Sequence, residues 1–140
     1  MLYELNERKT EERKAIMKVR LVIAVDFDGT LCEHEFPEIG KVDKVHKNVQ
    51  DYIRKRKNEG CTIILWTCRE DLPERNYLTE AVEWCKENDI PIDYVNEYPY
   101  RGLKGFAARK VCADIYIDDK AKNIDEFRDK DDKYFDFFVK

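Results

Sequence analysis

Asp26 and Asp28 flank Phe27 at the end of the apolar run Val22-Ile23-Ala24-Val25, and Gly29-Thr30 follow at once. In extended backbone, residues i and i+2 project to one face, so two carboxylates are aimed into one small volume. Like charges that close push each other toward protonation unless a cation lies between them. A hard, oxygen-seeking ion such as Mg²⁺ is the fitting partner. The C-terminal end of a buried strand is also where open α/β sheets bind their ligands.

Two later apolar runs end in comparable chemistry. Ile63-Ile64-Leu65-Trp66 leads to Thr67, and Ile115-Tyr116-Ile117 leads to Asp118-Asp119, with Lys110 just upstream. Taken singly these are commonplace, since a lone acid pair is usually a solvated turn or a helix cap. Their joint order, each after an apolar run, is far more specific. If the strands are parallel neighbours, Asp26, Asp28, Thr67, Asp118 and Asp119 converge on one edge of the sheet.

The elements that must position these groups are legible from periodicity. Residues 20–25, 61–66, 92–95 and 113–117 read as strands, and 134–139 as a fifth strand or a packed tail. Residues 45–59 carry Val45, Val49, Tyr52 and Ile53 at helical spacing before Gly60. A second helix is predicted from Pro73 to about Asp89. Such alternation implies an α/β fold, a Rossmann-like three-layer α/β/α sandwich around a parallel sheet with right-handed crossovers. Residues 1–19, rich in Glu, Lys and Arg, read as a solvated helix or arm, with 20–140 as a single catalytic domain.

Composition narrows the functional classes. The 140 residues are 43% hydrophobic and 40% charged, with a net charge of −4. That balance suits one soluble domain and argues against a generic polyanion-coating protein. No apolar run approaches a membrane span, and the first residues lack a signal-peptide pattern. Five cysteines with no CxxC suggest reduced thiols and a cytoplasmic setting rather than a disulfide framework. Cys68 reads as a passive thiol, and His34 and His46 are too sparse for a zinc site.

With these residues in place, the chain resembles the haloacid dehalogenase (HAD) superfamily of phosphatases and phosphotransferases over about residues 20–120. Asp26-Phe27-Asp28-Gly29-Thr30-Leu31 is similar to its first motif, the run ending in Thr67 to its second, Lys110 to its third and Ile117-Asp118-Asp119 to its fourth. Lys104 is the alternative third-motif cation. A response-regulator receiver also gathers acids, a Thr and a Lys on strand ends, but its acceptor Asp follows the third strand, which here ends in Val95-Asn96-Glu97.

The resemblance implies an HAD-like fold and a Mg²⁺-dependent phosphomonoester hydrolase acting through an aspartyl phosphate on Asp26. Asp28 is then the proton shuttle, beginning the cycle protonated and contributing to the metal only through its main-chain carbonyl. Asp26 and Asp118 complete the protein's metal ligands, with Asp119 acting through water or orienting Lys110, or with Asp118 and Asp119 in exchanged roles. Thr67 and nearby amides are expected to hold phosphoryl oxygens, and Lys110 to neutralise charge. The stretch from Leu31 to the first helix has room only for a flap with His34, Phe36, Pro37 and Lys41, so the resemblance is to small capless members. Such an open site suits a sugar phosphate, a nucleotide or an exposed phosphate end, or a phosphoacceptor other than water, unless a second subunit covers it. A non-catalytic phosphate-binding module is the alternative of another class. Arg69, Arg101, Lys104 and Arg109 are either solvated charges or contacts for a second anionic group of the substrate, and Tyr98 and Tyr100 could stack or simply pack.

Overall fold

Val22–Val25 is buried on both faces, the pattern of a strand inside a parallel sheet with cover on each side. The computed structural model describes Glu11, residues 21–98 and residues 109–128. In chain order the elements are β1 (Val22–Val25), α1 (Lys44–Asn58), β2 (Thr62–Leu65), β3 (Asp71–Leu72), β4 (Arg75–Asn76), α2 (Tyr77–Glu87), β5 (Tyr94–Val95) and β6 (Ile115–Ile117). A 3₁₀ turn, Ile124–Phe127, follows.

The main sheet is parallel with order β5-β2-β1-β6. The chain moves outward from β1 to β2 and β5, then returns to the opposite side of β1 as β6. The strand order therefore reverses between β1 and β6, the crevice where such sheets bind ligands. Asp26 is fixed there by its amide, which donates to the Ile117 carbonyl at 2.9 Å.

Local sequence explains how the helices begin and end. Asp43 and His46 form a capping box at the start of α1, with the Asp43 amide donating to His46 Nδ1. Gly60, at φ 93°, closes the helix: its amide reaches Lys57 O, and the Cys61 amide reaches Arg56 O. This is a Schellman stop, which needs the left-handed residue that glycine supplies. The second helix begins later than residue 73. Pro73-Glu74 instead turns the antiparallel β3–β4 hairpin. Asp71 then caps the helix from outside, accepting from the Thr79 amide at 2.9 Å and the Thr79 hydroxyl at 2.5 Å. Proline's fixed φ suits a turn as well as a first helical position, and the Asp71 cap favours the turn.

Both helices pack on one face of the sheet. Ile53 of α1, with Ala81 and Cys85 of α2, meets Ile23, Val25, Ile63 and Leu65, while Phe27 packs edge-on against Trp84 at 5.5 Å. The opposite face, Val22, Ala24 and Ile64, is covered by Val111, Trp66, Tyr94 and Tyr98. Among the described residues, then, two helix-and-sheet layers of the expected three are present, and no helix is long and apolar enough to cross a membrane. The expected arm at 1–19, apart from Glu11, and the strand at 134–139 lie outside the described residues.

Candidate active site at the sheet edge

A pocket of about 400 Å³ opens beside the ends of β1, β2 and β6. Asp26, Asp28, Thr67, Asp118 and Asp119 all line it, as parallel strand ends require. Carboxylate oxygens from Asp26, Asp118 and Asp119 lie within 4.8 Å of one another, close enough to ligate one cation. Burial and the neighbouring charge of Asp118 push the Asp26 carboxyl up from 3.8 to about 7.

Thr30 and Gly29, which follow the two acids in the chain, hold this cluster. The Thr30 hydroxyl accepts from the Asp119 amide at 3.1 Å and lies 3.3 Å from Asp26 Oδ2 and 3.5 Å from Asp119 Oδ1. Its single hydrogen can serve one carboxylate at a time, so it ties β1's loop to β6's loop. Gly29 has φ 89°, and a Cβ there would sit 2.2 Å from Asp119 Oδ2. Glycine is needed both for the backbone and for the close approach of that acid.

Asp28 departs from the expected arrangement. Its two oxygens accept from Arg69 Nε and Nη2, each at 2.8 Å. Arg69 is 3% exposed, and its remaining N–H groups reach Tyr77 O, Pro37 O and Glu38 O. Guanidinium has five N–H donors, and these five hydrogen bonds use all of them. Its face also lies over Phe27 and Phe36, at 5.0 and 5.1 Å. The expected substrate-binding role of Arg69 therefore gives way to a structural one, because no donor is left over for a ligand. Asp28, for its part, is presented as the ion-pair partner of the Arg69 guanidinium. Its side chain is not one of the three that form the carboxylate cluster.

The cations are also distributed differently. Lys110 does not line this pocket. Its Nζ lies over the Tyr116 ring at 5.0 Å, beside a second hollow between Trp66 and Tyr116. Arg109 is exposed and likewise absent from the lining. Lys104, Tyr100 and Arg101 lie outside the described residues. Tyr98 packs edge-on against Tyr94 at 5.5 Å, the plain packing outcome. Lys120 lines the pocket instead, with its amide held by Asp118 Oδ1 at 2.9 Å. Its position two residues after the first acid of the pair was the available signal for it.

Thr67 sits at the mouth of β2 with its amide donating to Asn96 Oδ1 at 2.8 Å. That amide is thus committed to the protein. Its hydroxyl accepts from the Arg69 amide at 3.2 Å, which leaves the hydroxyl hydrogen to donate into the pocket. Asn96 adopts φ 54°, the left-handed region that Asn tolerates better than most residues, and this turns its side chain back toward Thr67. No disulfide joins the five cysteines. Cys68 is exposed at the pocket, while burial pushes the Cys85 thiol up to about 12 and keeps it inert.

No family model matches the chain, and no curated protein matches it. A solved structure of a conserved protein coded by a locus from Bacteroides thetaiotaomicron is similar at 33% identity with a TM-score of 0.58, the match covering 72% of this chain and 77% of that one. Identity at that level over most of both chains reaches beyond a shared Rossmann-like sheet: the chain belongs to the same family as this conserved protein.

Proposed function

We propose that the protein is a Mg²⁺-dependent phosphomonoester hydrolase of the HAD type, with Asp26 as the nucleophile. The observation that carries the reading is the cluster of Asp26, Asp118 and Asp119 within 4.8 Å at the β1–β6 crevice. Three hard oxygen donors, one of them half-buried and raised to about 7 by burial and by the charge of Asp118, fit a small divalent cation. When bound there, Mg²⁺ would supply charge neutralisation for the phosphoryl group.

The chain's own residues divide the work. An Asp26 oxygen forms a bond to phosphorus as the ester P–O bond breaks, and the departing oxygen takes a proton from a protonated Asp28 or leaves as the anion and takes one from solvent. Water then attacks phosphorus, the bond to Asp26 breaks, and the proton from water passes to Asp28. Held by Arg69, Asp28 is well prepared for this second step. To act as acid in the first it must carry the proton on an oxygen that Arg69 now holds, so turnover is expected to favour leaving groups that need little protonation. The Thr67 hydroxyl and Lys120 are placed to meet phosphoryl oxygens.

The test is phosphate release from p-nitrophenyl phosphate, with and without Mg²⁺, by wild type and Asp26→Asn. We expect metal-dependent turnover that falls about a thousandfold or more in the variant. No release by the wild type from this reagent with Mg²⁺ present, or full activity in Asp26→Asn, would overturn the assignment.

A further inference from the structure

Four carboxylates line the pocket, and an aromatic ring lines it with them. That ring, Phe36, remains 48% exposed, unusual for a large aromatic beside four carboxylates. An isolated surface Phe is ordinary, but this one is held in place. The carbonyls of Pro37 and Glu38 accept from Arg69, and the Glu38 carboxylate grips Arg75 at 2.8 Å. The Phe36 ring itself rests against the Arg69 guanidinium at 5.1 Å and the Tyr77 ring at 5.4 Å.

We propose that Phe36 is a specificity-determining residue, a rigid stacking platform that selects phosphomonoesters whose leaving group is planar and aromatic, such as an aryl or nucleoside ester. The proposal rests on the phosphate site described above for its anchor, and adds what lies beyond the phosphate. A ring already immobilised from behind loses little freedom when a ligand covers its outer surface, so the contact contributes to affinity with little ordering cost. Flat faces suit it best, because stacked rings gain more than their buried area alone. Even with Arg69 and Tyr77 against it, the Phe36 ring stays 48% exposed and lines the pocket, so ring surface remains open to a ligand there.

The decisive measurement uses inert probes, which need no turnover. Binding of phenylphosphonate and of propylphosphonate is measured by calorimetry with Mg²⁺ in wild type, Phe36→Ala and Phe36→Trp. Wild type should prefer the phenyl probe by about tenfold, Phe36→Ala should bind both alike, and Phe36→Trp should keep the preference. Equal affinity in the wild type, or a preference that survives in Phe36→Ala, would overturn the platform. Binding of neither probe would overturn it together with the phosphate site. Preferential phenyl binding without any hydrolysis of aryl phosphates would leave the platform standing and remove the hydrolase. Thermal melting of each variant checks folding, and Phe36→Leu replaces Phe36→Ala if the latter melts early.

Discussion

Asp26 shares the pocket with Asp118 and Asp119, whereas Asp28, two residues on, has both oxygens on Arg69. The residue type and the strand end are the same, yet one carboxylate is surrounded by negative charge and the other is neutralised. The contrast separates two uses of a carboxylate. An uncompensated acid raised to about 7 is suited to a cation, while a compensated one is suited to accepting a proton in a fixed orientation. Arg69 creates the difference, and because it also grips the 37–38 backbone and the start of α2, it links that electrostatic asymmetry to the aromatic ring that lines the pocket.

The comparison can be broken most severely at Arg69. Arg69→Met would leave Asp28 unpaired in a pocket where its side chain is 13% exposed, and would strand three backbone carbonyls. Removing one member of a buried pair costs about 3 kcal/mol or more, and urea denaturation should show it. Adding Asp28→Asn should recover part of that loss, since the stranded charge is then gone. A cost below about 1 kcal/mol would mean the flap is held by other contacts.

Asp26 sharpens the other half, through pH. Its folded-state value lies above the ordinary 3.8, so the folded protein holds this proton more tightly than the unfolded chain. Its contribution is therefore most favourable below about pH 4, is lost as pH rises toward 7, and stays lost above. The whole shift from 3.8 to about 7 corresponds to a swing of about 4 kcal/mol, and solvent screening at this half-exposed site reduces it to about 1–2 kcal/mol. Without divalent cation, wild type should lose stability between pH 4 and 8 relative to Asp26→Asn by that amount. Mg²⁺ at pH 8 should restore it. The difference between the two proteins' melting curves across pH is the measurement, and a flat difference would mean that Asp26 is not under charge pressure.

The smallest effect is expected at Thr30, which spans Asp26 and Asp119 without neutralising either. Thr30→Val keeps the shape and removes the hydroxyl, at a cost of about 1 kcal/mol. Mg²⁺ affinity by titration should weaken a fewfold as the two loops lose their tie. Unchanged affinity would show that the sheet alone sets the carboxylate spacing.

Much of this was legible along the chain. The acids at 26, 28, 118 and 119 stood out because each follows an apolar run, and the full burial of β1 makes that local pattern reliable there, while β6 is only half-buried. Helix α1 was readable from its periodicity and Gly60. The hairpin at 71–76 was not, because Pro73 is compatible with either a turn or a helix start and only the Asp71–Thr79 contact decides between them. Lys110 was placed by its order in the chain, but order does not say which way a side chain leaves a loop, and here it turns onto Tyr116.

By itself, the sequence determined the parallel α/β arrangement, the strand ends that carry acids and their convergence on one edge, because apolar periodicity and strand polarity act over a few residues. The packed fold alone chose which carboxylate is paired with a guanidinium and which is not. That choice rests on Arg69 meeting Asp28 across 41 positions and the flap across 31 and 32, and on β6 returning beside β1. Contacts of such separation depend on the packed fold, and no local pattern of residues encodes them.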